Sequence, residues 1–361
     1  MTRIKTLKSI LFQTLIITTT TFVLAEITFR IYHRINPTFI FGDRSYNRWR
    51  GKPYGQDFEF KLNSQGFKDV EFTVEKPENT FRILGVGDSF NFGIVPYRYN
   101  FLTLLEEKLN QNTKKNSQKG VEIINMGIPG LGPKDYLSLL VNEGLKLEPD
   151  MVLLSFYVGN DFLDNQLKAQ ERRWNRSYVM SFLHSILALS TQYEGQVFNP
   201  KNQLKYLDDQ PTRTNDSYLN DTKNKSNMFV KDPADDIFAE YFKDAVSDIL
   251  KIKDICDHQN IELVVLIIPD EVQVDQKLQA QILEMFDADK PDKLDFQLPN
   301  RLLHQTFNQA GIDYIDPLKD FKVASAQTRL YKPNDTHWNI AGNQLAAELL
   351  ETNLSPKITS K

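Results

Sequence analysis

From about residue 81 onward the chain alternates between short, unbroken apolar runs and longer stretches in which apolar positions recur every three to four residues. The runs at 81–86 (FRILGV), 121–125 (VEIIN), 151–156 (MVLLSF) and 261–268 (IELVVLII) are too short for helices and predict buried strands. A shorter candidate strand covers 312–315. The intervening segments 100–110, 134–146 and 235–258 carry helical spacing, and 341–352 predicts a closing helix. Strands alternating with helices argue for an α/β domain with a parallel sheet flanked by helices.

Three segments depart from this rhythm. Arg3, Lys5 and Lys8 precede a charge-free apolar run over 9–25, whose apolar character continues past Glu26 to Tyr32 and breaks at Pro37. Its length lies at the short end for a bilayer span and above that of a signal-peptide core. An uncleaved signal anchor over 1–35 is the favoured expectation; cleavage after Val23-Leu24-Ala25 and secretion is the alternative. The basic flank would stay cytoplasmic and the bulk of the chain extracytoplasmic, although Arg30 and Arg34 weaken that orientation. Residues 36–80 read as a polar, irregular linker and pre-domain segment, and 81–355 as the main domain. Within it, 166–231 is an insertion, its second part dominated by Asn, Asp, Lys, Ser and Thr. It is expected either to cap the site, with Phe182, Leu183 and Leu187 lining it, or to form a surface excursion.

Composition narrows the function. The 361 residues are 41% hydrophobic with a formal charge of −4, enough for a sizeable core and without the basic excess that a nucleic-acid partner calls for. Cys256 is the only cysteine, so neither an intrachain disulfide nor a cysteine-based metal cluster is available, and its helical setting points to core packing.

Nucleophilic hydrolysis needs a hydroxyl at a strand-to-helix turn, a histidine to take its proton, a carboxylate to orient the histidine, and donors for the developing oxyanion. Ser89 follows the first strand and a Gly-Asp pair, so the turn would present its Oγ at the carboxyl edge of the sheet, where α/β proteins bind ligands. On its own Gly-Asp-Ser is an ordinary turn tripeptide. Asn125-Met126-Gly127-Ile128-Pro129-Gly130 follows the second strand and Gly159-Asn160-Asp161 the third; alone these would read as a tight turn and a helix cap. His33, His184, His258 and His304 lie in the membrane-proximal or helical segments and read as structural. His337 lies in Asn334-Asp335-Thr336-His337-Trp338-Asn339, just before the closing helix.

Together these blocks resemble the SGNH (GDSL-like) hydrolase family, in its membrane-anchored or exported branch with a D-T-H-W-N C-terminal block. All four blocks stand in order over about residues 81–354. The resemblance implies a three-layer α/β/α, flavodoxin-like fold with a central parallel sheet. It implies Ser89 as nucleophile, His337 as general base, and the Ser89 and Gly127 amides with the Asn160 side chain as oxyanion donors. The commoner family spacing is Asp-x-x-His; here Asn334 stands three before the histidine and Asp335 two before it, so Asp335 is the expected acid. No cofactor or metal is implied, and Asp161 with Asp164 makes a poor metal pair without His or Cys nearby. The expected reaction is ester hydrolysis through an acyl-serine, on an envelope glycan or a lipid ester. The alternatives are O-acyl transfer to an exported polysaccharide and non-catalytic glycan binding on the same fold. The segment 63–69 (NSQGFKD) resembles one found upstream of the nucleophile in some anchored members; a packed turn would also account for it.

Overall fold

The computed structural model describes residues 2–35, 46–47, 49–116, 119–165, 177–183, 205–230, 237–286 and 294–359. In chain order these form α1 (Thr2–Ile35), a small antiparallel hairpin of β1 (Gln56–Asp57) and β2 (Phe60–Lys61), then β3 (Thr80–Val86), α2 (Ser89–Phe92), α3 (Phe101–Asn116), β4 (Gly120–Asn125), α4 (Pro133–Leu139), β5 (Met151–Tyr157) and α5 (Asp161–Asp164). They continue as α6 (Asn215–Lys225), α7 (Ile237–Gln259), β6 (Glu262–Ile268), α8 (Glu271–Val274), α9 (Gln276–Glu284), α10 (Leu298–Ala310), β7 (Asp313–Ile315), α11 (Leu318–Ser325) and α12 (Ile340–Thr359).

The main sheet has the order β4-β3-β5-β6-β7, and every pairing in it is parallel. Such a sheet is covered on both faces, so its central strands need no polar side. β5, in the middle, is buried at all seven residues. Successive side chains go to opposite faces. Ile83, Leu153 and Leu266 meet Phe101, Leu105, Leu350 and Leu354 of α3 and α12 on one side. Leu84, Val152 and Val265 meet Tyr136, Leu139, Ile249, Ile252 and Cys256 of α4 and α7 on the other. The result is a three-layer α/β/α fold.

The first strand of this sheet lies between the second and third, so the connections leave β3 in opposite directions. At such a switch point the loops after β3 and β5 diverge at the carboxyl ends, where open α/β sheets take their ligands. Ser89 follows β3 and Asn160 follows β5.

Several details differ from the sequence pattern. The helix expected over 134–146 divides into α4, a wider turn at Leu140–Gly144 and a tighter one at Leu145–Leu147, ending on Glu148 at φ +50°. Among the described residues, the four helices α8 to α11 and β7 lie between β6 and the closing helix, and α12 runs to Thr359 through Pro356. Within the insertion, α6 forms from a polar sequence.

Residues 6–24 of α1 are exposed, and its stretch Thr6–Tyr32, 27 residues, is long and apolar enough to cross a membrane. At about 1.5 Å per residue it exceeds the roughly 30 Å of a bilayer's hydrocarbon core. Near its end Glu26 accepts from the Tyr178 amide at 2.9 Å, the Val179 amide at 3.0 Å and Ser177 Oγ at 2.9 Å, and Phe29 packs on Phe182. Thus the first described part of the insertion meets α1, including Phe182 of the expected cap. His184 and Leu187 lie outside the described residues.

Candidate active site

Ser89 opens α2 directly after β3, and Asp88 caps that helix by accepting the Phe90 amide at 2.8 Å. His337 reaches it from the other end of the sequence. His337 Nε2 lies 2.7 Å from Ser89 Oγ across 248 residues of chain. Its Nδ1 lies 2.6 Å from Asp335 Oδ1. The side chains of His337 and Asp335 are 21% and 7% exposed, so the pair is largely shielded while the imidazole keeps an open edge. Burial alone would push the Asp335 carboxyl up; the adjoining His337, by charge and hydrogen bond, outweighs it and holds the group down at about 2.

A short hairpin places the histidine. Tyr331 and Trp338 pair across it, the Lys332 amide donates to His337 O at 3.0 Å, and Asn334 turns the corner at φ +49°. Trp338 is buried between the rings of Phe90, Phe101 and Phe321, which fixes the hairpin's far strand; each such ring pair is worth about 1 kcal/mol beyond its area. Phe90 also lies 5.0 Å from the His337 ring. The second part of the insertion braces the same hairpin. The Thr212 amide donates to Pro333 O at 3.1 Å, Asn334 Nδ2 to Arg213 O at 3.0 Å, and Lys332 Nζ to Leu207 O at 2.5 Å.

The expected oxyanion donors fare differently. Asn160 stands at the N-cap position of α5, yet its side chain makes no capping bond. The carboxyl of the buried Asp88 is pushed up by burial and drawn back by the Phe90 N–H, by His337 and by Asn160. The Gly127 N–H is otherwise engaged, donating to Asn125 Oδ1 at 2.9 Å. An asparagine two residues upstream commonly takes this bond in an Asx turn. Glycine is needed here because a Cβ would stand 2.4 Å from Phe92 N and 2.5 Å from Asn91 Cβ, so the loop lies directly against α2. Asp161 is buried, accepting from Tyr136 Oη at 3.0 Å and from the Tyr157 amide at 3.0 Å.

Residues 235–360 match the family model described as the SGNH hydrolase-like domain of acetyltransferase AlgX. That part of the chain is SGNH hydrolase-like. Among solved structures it resembles the acetyl xylan esterase AlAXEase (14% identity over 76% of this chain and 99% of that one, TM-score 0.41). It also resembles a lipase/acylhydrolase from Enterococcus faecalis (13%, 76% and 96%, TM-score 0.36) and an acetylxylan esterase from Geobacillus stearothermophilus (10%, 74% and 91%, TM-score 0.40). No curated protein matches the chain by sequence.

Around the SGNH blocks lies a layer of polar residues that sequence patterns did not single out. Asn125 Nδ2 donates to Asn91 O at 2.8 Å, joining the Gly127 loop to α2, and Asn100 Nδ2 donates to the same carbonyl at 2.8 Å. A run of asparagines near Gly-Asp-Ser was the available signal, but their partners depend on the sheet bringing 91, 100 and 125 together.

Proposed function

We propose that the chain is a serine hydrolase of ester bonds, with Ser89 as nucleophile, His337 as base and Asp335 as its orienting acid. The contact that carries this reading is the 2.7 Å approach of His337 Nε2 to Ser89 Oγ, backed by Asp335 on the opposite ring nitrogen. In the acylation step Ser89 Oγ attacks the ester carbonyl while Nε2 takes its proton. The tetrahedral oxyanion then collapses, the alkoxide leaves with that proton, and an acyl-serine remains. Water, deprotonated by the same imidazole, releases the acid and restores Ser89. Asp335 keeps Nδ1 protonated and stabilises the imidazolium. The Ser89 amide, the Asn160 side chain and the Gly127 amide are the oxyanion donors in this reading, and Gly127 would have to share the proton now given to Asn125 Oδ1.

The substrate class that fits best is an acylated carbohydrate of the cell envelope, with a lipid ester as the competing choice. The domain would be held outside the cytoplasmic membrane by α1. A second reading, transfer of the acyl group to a polysaccharide hydroxyl, is favoured by the match of residues 235–360 to an acetyltransferase family. It uses the same acyl-serine with a sugar hydroxyl in place of water.

The test is turnover of p-nitrophenyl acetate and labelling by a fluorophosphonate, using the full chain in detergent. Both are expected in the wild type and absent in Ser89→Ala. Unchanged signals in that variant would sink the mechanism. Adding an oligosaccharide acceptor separates the two readings, since transfer yields an acetylated sugar and hydrolysis only acetate.

A further inference from the structure

The segment Asn63-Ser64-Gln65-Gly66-Phe67-Lys68-Asp69 has no part in the site as described, yet Asn63, Lys68 and Asp69 are among the most buried polar residues of the domain. Asn63 shapes the turn by accepting the Gln65 and Phe67 amides at 3.0 Å each, with Gly66 at φ +80°. Phe67 anchors it in the core. The two charged residues that follow then point to two different parts of the site's framework.

Lys68 is 1% exposed, and its Nζ donates to Gly93 O at 2.8 Å and Val95 O at 2.6 Å while pairing with Asp57 at 2.5 Å. Those carbonyls belong to the chain leaving α2, the helix that begins with Ser89. Asp69 is 4% exposed and accepts from Tyr97 Oη at 3.0 Å, its neighbour Val70 N at 2.8 Å and Asn125 N at 2.7 Å. Asn125 passes the constraint on, through Oδ1 to the Gly127 amide and through Nδ2 to Asn91 O in α2.

β4 is one of the sheet's two edge strands among the described residues, and side chains take its outward amides in turn: Asn110 Oδ1 that of Val121 at 3.0 Å, Glu106 Oε2 that of Ile123 at 3.0 Å, and Asp69 that of Asn125. Only the last of these lies where the strand becomes the Gly127 loop. Glu106 is therefore an internal comparator for Asp69, with the same chemistry on the same edge two residues further from the site.

We propose that Asp69 is a positioning residue, which through Asn125 sets the Gly127 loop against the nucleophile helix, with Lys68 securing that helix's exit. This rests on the ester-hydrolase reading for its effect on rate, but its effect on the loop does not. The experiment is hydrogen exchange on the full chain in detergent for wild type, Asp69→Asn, Tyr97→Phe and Glu106→Gln, with the rate of fluorophosphonate labelling at Ser89 in parallel.

Losing a carboxylate acceptor is expected to raise exchange over 125–130 about tenfold in Asp69→Asn and to slow labelling by about the same factor. Tyr97→Phe, which removes one of its donors and keeps the fold testable if the first variant does not fold, should raise exchange there about threefold. Glu106→Gln should leave 125–130 and the labelling rate as in wild type and alter only 121–124. Wild-type protection over 125–130 in both Asp69→Asn and Tyr97→Phe overturns the proposal. So does Glu106→Gln slowing labelling as much as Asp69→Asn, because the edge bonds would then act through stability alone. If wild type itself is not labelled, the hydrolase reading fails and the exchange pattern alone decides the role of Asp69.

Discussion

Asp335 Oδ1 meets His337 twice, accepting its backbone amide at 3.1 Å and lying 2.6 Å from its Nδ1. A two-residue offset thus suffices to orient the imidazole, because the hairpin bends the chain back on itself within that distance. Asn334, at the commoner three-residue offset, faces away toward Arg213 O. Asp335→Asn is accordingly expected to lower kcat by about 10³ to 10⁴-fold, as the imidazole loses the partner that fixes its tautomer. Asn334→Gly, which suits the positive φ and removes only the bond to Arg213, should leave kcat within about threefold. Ester turnover of the two variants checks both, and a larger loss in Asn334→Gly would reverse the assignment.

Gly127 tests how tightly its loop is held against α2. A Cβ there meets backbone on α2, where nothing flexible can move aside. Gly127→Ala should therefore destabilise by about 3 kcal/mol or more in urea unfolding, as overpacking against a rigid neighbour does. Gly311, at φ +61° with open space around it, supplies the contrast: Gly311→Ala should cost only about 1 kcal/mol, the penalty of a left-handed backbone. A Gly127→Ala protein with wild-type stability would mean that the loop moves away from α2 to admit the methyl group, and that the close approach does not require glycine.

The parts of the molecule legible in the sequence were those that depend on local pattern. The runs ending at Val86, Asn125 and Phe156 are strands because a strand covered on both faces is apolar throughout, and the residues after them gather because parallel strands share one carboxyl edge. α10 could have been found: Pro299 at its start and Gly311 at its C-cap bracket an amphipathic run. The bond between Asp69 and Asn125 could not, since it spans 56 residues and exists only because β4 is a free edge. Asp335 could be chosen because it is the nearest carboxylate to His337, whereas the left-handed turn at Asn334 that lets a two-residue offset reach the ring was not legible. α6 forms from a polar sequence because packing overrides propensity, with Tyr218 buried and bonded to Glu271.

Buried carboxyls elsewhere predict an unusual dependence of stability on pH. Burial pushes Glu106 from its ordinary 4.5 to about 7, although the Ile123 amide pulls the other way. Burial likewise pushes Glu271 from 4.5 to about 8, against the bond from Tyr218. A carboxyl raised in the folded state binds its proton before the unfolded chain does, so folding is favoured as pH falls through these values, down to about 4.5. Asp335 has the opposite sign. Held at about 2 rather than 3.8, it stabilises above its unfolded value, and that contribution is lost as pH falls toward 2. Urea unfolding should therefore show stability rising from pH 8 to pH 5 and falling again in stronger acid. Glu106→Gln should flatten the rise by on the order of 2 kcal/mol, since an uncharged side chain of the same shape carries no proton to bind. An equally steep rise in that variant would place the dependence on other groups, and falling stability from pH 8 to pH 5 would mean that the two glutamates are not held above their ordinary values.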